Sequence, residues 1–472
     1  MTEDPTQDPR ALLEQALADH EAGRLDAAVA AYNKVAALAP GHVQVYSLLG
    51  LALEDLGRLD EAAESLKRAV DLRPDMPELL VALGGIYRKQ KKFPDAEACL
   101  CRSVDLDPND AEALCSLGMM LEARGDKEAA AARYEQALAA DPGYAQAHNC
   151  MGCALADRGE TDAALSAFRR ALDIDPDLVT AHINLGDALS KSGRHDEAKI
   201  SLQRAIALSP EDTEIYGDLF LALMRERDHA AALELCDSVL AAYPGDVDTL
   251  SFKSVVLHEM GRSDEARALF DCARFLSPRL IEAPPGHADL AAFNAALREH
   301  VINHPTLVKS ARVHATRFGG HTGDLLSEPK GPVADFENLV RANAEAYMAA
   351  LGDDPGHPFI ASKPVRWRLN VWAVVMGEKG HQVSHTHPSA WLSGVYYAAA
   401  PDDIREDDPA FAGWIEFGRP DDEIAIAREP LVERLRPQEG LMVFFPAYFY
   451  HNTVPYGGAG TRISVAFDII PD

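Results

Sequence analysis

Two histidines separated by a single residue, His385 and His387, are the first chemistry-bearing pair in the C-terminal half of the chain, and a third, His451, follows much later. Eleven residues after that histidine comes Arg462, with Ser464 two further on. On an extended strand, residues i and i+2 face the same way, so His385 and His387 can point into one site and His381 shares their parity. Three neutral imidazoles suit Fe(II), Cu, Ni or Zn and leave coordination positions free for other molecules. The planar donor fork of Arg462 matches a carboxylate, and the hydroxyl of Ser464 adds a further hydrogen bond. The pattern predicts a mononuclear metal site that also grips an acid. For His387 the alternative role is to orient a ligand rather than bind the metal itself. For His385 and His451 it is a purely structural imidazole, and for Arg462 an ion pair that stabilises the fold. His381 is expected to flank the site or face a substrate, and Glu416 is a further carboxylate that strand position alone does not bring to the metal.

From Arg366 onward the sequence has the period of strands. Trp367–Met376, Trp391–Ala399, Gly413–Gly418, Gly440–Pro446 and Arg462–Ile470 are rich in β-branched and aromatic residues, with Gly, Pro and Asp clusters between them. His287–Asn303 and Pro332–Leu351 read as helices, separated by the stretch Gly319–Leu326. Helices followed by many short strands, with no helix between the strands, predict a double-sheet jelly roll. The acidic segment Asp402–Asp408 reads as a solvated loop that could cover a cleft, not as a second metal site.

Ahead of these lies a strict internal repeat. Pro40, Pro74, Pro108, Pro142, Pro176, Pro210, Pro244 and Pro278 recur every 34 residues. An alanine stands twelve residues before each (Ala28 to Ala266) and a bulkier side chain eight before each, from Tyr32 and Leu66 to Cys236 and Phe270. Gly50, Gly84, Gly118, Gly152 and Gly186 mark a close helix–helix approach in repeats two to six, whereas Phe220 and Ser254 stand there in repeats seven and eight. Residues 9–280 resemble the tetratricopeptide repeat: pairs of amphipathic helices whose apolar faces are buried only when neighbours stack. Such arrays present a groove to extended peptides. Gln146, Asn149, Asp157, Asp187, Lys191, Arg88, Lys89 and Arg225 are expected to line it, with no basic clamp and no asparagine ladder.

The formal net charge is −29, and residues 1–280 and 281–472 are both acidic. Phosphate binding is dominated by cationic contacts, so nucleic acid and anionic membrane are poor partners. No stretch reaches the length of an apolar membrane span, and the acidic start MTEDPTQDPR is unlike a secretory leader. The seven cysteines fit reduced thiols and a cytoplasmic setting. Cys150 and Cys153 read as helix-packing residues rather than a redox pair.

The stretches GGHTGDLL (319–326), HTHPSAWLSGVYY (385–397), RPQEGLMVFFPAYFYH (436–451) and RISVAFD (462–468) resemble the 2-oxoglutarate/iron(II)-dependent oxygenases, in particular a bacterial branch often joined to tetratricopeptide repeats. The resemblance covers about residues 290–472. It implies His385, His387 and His451 as metal ligands and Fe(II) as the metal. It also implies 2-oxoglutarate as cosubstrate on Arg462 and Ser464, with Asn370 and Tyr397 beside it and Trp372 nearby. His387 departs from that family's usual pattern, in which an aspartate or glutamate fills the position. The expected architecture is an α-solenoid of eight repeats (1–280), a helical linker that begins the second domain (281–360), and a double-stranded β-helix, the jelly roll of cupins (361–472). The expected activity is that of a dioxygenase, most simply a hydroxylase, using O₂ on a protein or peptide held by the repeats. The rivals are a repeat scaffold with a metal- or ligand-binding jelly roll and no turnover, and a three-histidine dioxygenase that uses no 2-oxoglutarate.

Overall fold

The computed structural model describes residues 8–313, 315–327, 329–458 and 460–472, so the acidic start at residues 1–7 lies outside the described residues. Two compact units emerge, residues 1–210 and 211–472.

The first unit is made of helical hairpins: α1 (Pro9–Glu21) with α2 (Leu25–Leu38), α3 (Val43–Asp55) with α4 (Leu59–Leu72), and α5 (Pro77–Lys89) with α6 (Phe93–Leu106). It continues with α7 (Ala111–Ala123) and α8 (Lys127–Ala140), α9 (Ala145–Asp157) and α10 (Thr161–Ile174), and α11 (Val179–Lys191) and α12 (His195–Leu208). The glycine series does what its spacing predicts. A Cβ on Gly118 would lie 2.4 Å from the Tyr134 ring, and one on Gly152 2.5 Å from Phe168, so each glycine lets the bulky residue of its own repeat lie against bare backbone. The turn Asp107–Asp110 starts α7 as expected, Asp110 accepting hydrogen bonds from the backbone N–H of Glu112 and Ala113.

A second 34-residue series closes the turn between the helices of each hairpin. Gly23, Gly57, Gly125, Gly159, Gly193 and Gly261 have positive φ, and Lys91 and Arg227 occupy the same left-handed position at φ 59° and 63°. In the groove, Lys89 pairs with Glu54, Lys191 with Asp187, and Asp157 with Lys127. One asparagine pair lies on the repeats, the Asn184 amide donating to Asn149 at 3.0 Å, and Asn149 is buried. Cys150 lies 3.8 Å from Cys115, not against Cys153, and every cysteine is a free thiol.

The second unit opens with the last two hairpins, α13 (Glu214–Glu226) with α14 (His229–Ala242) and α15 (Val247–Glu259) with α16 (Ser263–Leu269), followed by the short α17 (Cys272–Phe275). The end of the eighth repeat is not helical. Ser277–Leu280 is strand β1 and pairs with Phe444–Leu441. Then come α18 (Leu290–Ile302), β2 (Val308–Val313), β3 (Thr316–His321), α19 (Val333–Leu351), α20 (Pro358–Ala361), β4 (Trp367–Gln382) and β5 (Leu392–Ala399). The chain ends with β6 (Ile415–Phe417), β7 (Glu433–Leu435), β8 (Leu441–Pro446), β9 (His451–Thr453) and β10 (Arg462–Pro471).

The strands form a seven-stranded sheet, ordered β1-β8-β5-β10-β4-β3-β2, and a three-stranded sheet, β7-β6-β9. Alternation sorts the large sheet's residues into two faces. Phe336 of α19 lies against Phe467 and Tyr396, and Tyr347 of α19 against Phe444, so helices cover the outer face. The inner face meets the small sheet through Phe445 against Phe417 and His451. This is the jelly roll the strand pattern predicts; the hairpin β2–β3 and the short strands β1, β7 and β9 are additions to it.

The last repeat is part of this core. Ser251 of α15 donates to the Tyr448 carbonyl at 2.6 Å. Both carboxylate oxygens of Glu259 accept backbone N–H groups of Ala427 and Arg428. Phe270, the bulky residue of repeat eight, lies 4.7 Å from the Phe449 ring. A fragment 211–472 is therefore expected to melt cooperatively, whereas 281–472, stripped of β1 and these bonds, fails to; circular dichroism melts compare the two. Replacing Lys91 by Gly relieves a left-handed side chain and should raise the stability of the first unit by about 1 kcal/mol, read from urea unfolding.

Candidate metal centre

β10 lies between β4 and β5 and sets the floor of the site. Its inward residues Arg462, Ser464, Ala466 and Asp468 stand opposite Met376, Val374, Trp372 and Asn370 of β4. On the other side, Ser464, Ala466 and Asp468 stand opposite Tyr397, Val395 and Ser393 of β5.

The histidines come from the segment after β4, not from a strand as their spacing suggested. His385 forms an isolated antiparallel bridge with His451, the first residue of β9, through reciprocal backbone hydrogen bonds of 3.2 and 3.1 Å. That bridge sets their ring centroids 4.2 Å apart, and His387 lies 5.3 Å from His385 and 5.0 Å from His451. One ring nitrogen from each falls within 4.8 Å of the other two, the one such cluster found among the described residues.

Hydrogen bonds fix which nitrogen faces inward. Nδ1 of His385 is 2.8 Å from the Val383 carbonyl, Nδ1 of His451 3.0 Å from the Phe449 carbonyl, and Nδ1 of His387 2.7 Å from Asp468 Oδ1. Each acceptor requires an Nδ1–H, which leaves three Nε2 lone pairs for a metal ion. Burial, reinforced by the neighbouring His387, pushes His385 down to about 4. Burial and the two neighbouring histidines hold His451 well below its ordinary value. Both rings are thus neutral ligands at neutral pH. The donor set fits a divalent transition metal.

Arg462 is buried on the same sheet face. It donates to the Gly413 carbonyl and to Thr453 Oγ1, each at 2.7 Å. Its guanidinium carbon lies 5.9 Å from the Tyr397 ring centroid, and its Nε has no partner. No carboxylate pairs with it among the described residues, so the ion-pair alternative has no support. A buried cation with a spare N–H and no counter-charge fits an acid ligand. Thr453 sits two residues beyond His451 on β9, a span of about 7 Å at strand rise. The guanidinium thus meets the strand that presents His451.

A cleft of about 650 Å³ leads to His385 and His387, walled by His321, Trp372, Asn370, Asp324, Gln382 and Asp468 among others. Trp372 stacks on His321 at 6.1 Å and lies 5.5 Å from His387. Among the described residues, no lysine or arginine lines it.

Two expectations need correction. Glu416 lies on β6 between the inward residues Ile415 and Phe417, so it faces away from His451 and pairs with Arg419 and Arg434. His381 sits where β3 and β4 slip register and bonds the Lys379 carbonyl rather than lining the cleft. The acidic loop serves turns: Asp408 caps Ala410 and Ala412, and Asp403 accepts from Tyr456. Asp468, Thr453, Ser393 and Asp248 are additions. Asp468 and Ser393 share the inward parity of Ser464 and Tyr397, a signal already present in the sequence. Asp248 of α15 accepts from Thr386, the residue between the two histidines, at 2.9 Å, a bond that no sequence spacing announces.

Residues 370–468 match the family model described as "Putative 2OG-Fe(II) oxygenase". Tetratricopeptide repeat models match residues 13–77, 53–117, 111–144, 155–219 and 223–274. Among solved structures, the chain is similar to the MamA protein, at 27% identity over 36% of this chain and 92% of that one, with a TM-score of 0.31. It is also similar to a thermophilic TPR protein of Thermus thermophilus, at 26% identity over 39% of this chain and 100% of that one, with a TM-score of 0.36. No curated protein matches the chain. No helix among the described residues is long and apolar enough to cross a membrane.

Because His385 has a folded-state pKa below its unfolded value of about 6.5, its contribution to stability is complete above that pH and is lost as pH falls toward 4. The metal-free protein should therefore lose melting temperature between pH 6.5 and 4, and His385→Asn should flatten that slope. Thermal melts across the range decide it.

Proposed function

We propose that this chain, a tetratricopeptide repeat array joined to a 2-oxoglutarate/iron(II) oxygenase domain, hydroxylates a protein or peptide segment held by its repeats. The observation that carries the reading is Arg462: a buried guanidinium without a carboxylate partner among the described residues, bonded to Thr453 on the strand that begins with His451, one of three converging imidazoles. The reaction balances as substrate C–H, 2-oxoglutarate and O₂ giving C–OH, succinate and CO₂. One oxygen atom goes to the product alcohol and the other to succinate. Bound iron supplies the activation of O₂ and the oxidising power for that exchange.

The chain's own residues do the rest. His385, His387 and His451 hold the metal through Nε2. Arg462 and Ser464 bind the far carboxylate of 2-oxoglutarate, with Thr453 and Tyr397 setting the guanidinium's pose. The Trp372–His321 wall and Asn370 orient the segment that enters the cleft. A cleft without cationic lining favours a neutral or basic segment over an anionic one. The repeat array raises the local concentration of a tethered segment. Localisation in the cytoplasm is part of the same reading and rests on the free thiols.

The test is anaerobic 2-oxoglutarate binding with Fe(II), followed by O₂ uptake and succinate release. Removing one member of a buried charge pair costs about 2–5 kcal/mol, so Arg462→Gln should weaken 2-oxoglutarate binding by about 30-fold or more. Unchanged binding in that variant overturns the assignment. Tight Zn(II) retention with no effect of 2-oxoglutarate would favour a non-catalytic scaffold.

A further inference from the structure

We infer that Asp468 gives the metal centre the negative charge that a carboxylate at position 387 would otherwise supply, so that His387 and Asp468 act as one anionic unit. The inference rests on the three imidazoles holding a metal, and it concerns a residue that touches no metal itself.

The three histidines are not equivalent. His385 and His451 give their Nδ1–H to neutral backbone carbonyls, of Val383 and Phe449. His387 alone gives its Nδ1–H to a carboxylate, at 2.7 Å. Asp468 is 8% exposed and pairs with no lysine or arginine among the described residues. A carboxylate so placed requires a compensating positive charge. Its remaining side-chain bond comes from Ser393, which is fully buried, donates to Asp468 Oδ1 at 2.7 Å and stands 3.1 Å from His387 Nδ1. Asp468 cannot drift, because β10 is hydrogen-bonded along both edges and holds it between Asn370 and Ser393.

A carboxylate on the far nitrogen of a ligating imidazole raises the basicity of the near one and fixes its orientation. The family's usual carboxylate ligand lowers the charge of the site by one, and His387 does not. Asp468 lowers it by the same amount one hydrogen bond further out. It is a positioning and charge-setting residue, not a catalytic one.

Two explanations of the bond differ in outcome. If Asp468 merely pins the ring, an amide in its place still accepts the Nδ1–H and nothing changes. If its charge matters, Asp468→Asn weakens metal binding while leaving the fold intact. The measurement is the dissociation constant of the full chain for Co(II), and for Fe(II) without air, together with the Co(II) d–d spectrum and the melting temperature of the metal-free protein. Asp468→Asn should raise the dissociation constant by about 10–100-fold and shift the d–d bands, with the metal-free melting temperature preserved. Dissociation constants equal to wild type overturn the inference.

A second variant pair keeps the matter decidable. His387→Asn removes the imidazole through which Asp468 acts, so adding Asp468→Asn to it should change the dissociation constant by about twofold at most. A loss as large as Asp468→Asn causes in the wild-type background overturns the inference as well. A wild-type chain that binds neither ion removes the metal centre itself, an outcome distinct from tight wild-type binding that is indifferent to Asp468.

Discussion

Convergence of the three imidazoles depends on an antiparallel bridge between two residues that belong to no common strand. The reciprocal hydrogen bonds of His385 and His451 bring the segment after β4 onto the start of β9, and so tie the continuation of β4 to the edge strand of the small sheet at one point. The Nδ1 bonds then turn each ring so that its free nitrogen faces the other two. Both layers are needed. Without the bridge the rings would be far apart, and without the Nδ1 acceptors they would rotate among tautomers with no fixed lone pair. Packing supports the arrangement: Phe445 lies against His451, and Trp372 against His387.

The repeats show how a one-dimensional array is adapted to a globular partner within its own chain. In repeats two to six, glycine faces a bulky side chain inside each hairpin. In repeat seven the sizes are exchanged, Phe220 standing at the glycine position and Cys236 at the bulky one, and Phe220 stacks forward on Phe252 at 4.3 Å. In repeat eight the bulky Phe270 turns to Phe449, the second helix is cut to Ser263–Leu269, and the chain leaves as strand β1. Packing on the sheets thus replaces stacking on a further repeat only at the eighth, where Phe270 meets Phe449. Asp248 shows the same shift at the level of one bond, since α15 holds Thr386 between two of the histidines. The repeats adjoining the jelly roll are structural members of the unit that carries the candidate metal centre.

Much of this was legible in the sequence because it repeats or alternates. The 34-residue register fixes helices, turns and tight contacts, since every unit solves the same packing problem. Alternation over Arg462–Ile470 places Arg462 and Ser464 on one face, and continuing it by four residues reaches Asp468. What was not legible is what depends on irregular backbone. His385 and His387 lie in a segment whose i,i+2 spacing resembles a strand, yet the bridge to His451, not a strand, aims them. Glu416 is inside a strand, but its parity relative to His451 follows from the β6–β9 register, which no local pattern reveals. The 277–280 segment carries the proline of a repeat and still becomes a sheet edge, because β8 offers it an unpaired strand.

Electrostatics separates the two ends of the inner face. Among the described residues, Arg462 at one end is a buried cation with no carboxylate partner, and Asp468 at the other is a buried carboxylate that pairs with no lysine or arginine and bonds the His387 imidazole. Six residues of one strand separate them, about 20 Å at strand rise, too far for mutual neutralisation in a paired geometry. Each therefore needs a partner that the fold does not provide, of opposite sign in the two cases. An acid meets the need of Arg462 and a metal cation that of Asp468. The same strand that orders the sheet thus sets the polarity of the site, and a molecule entering it has its orientation decided before any reaction begins.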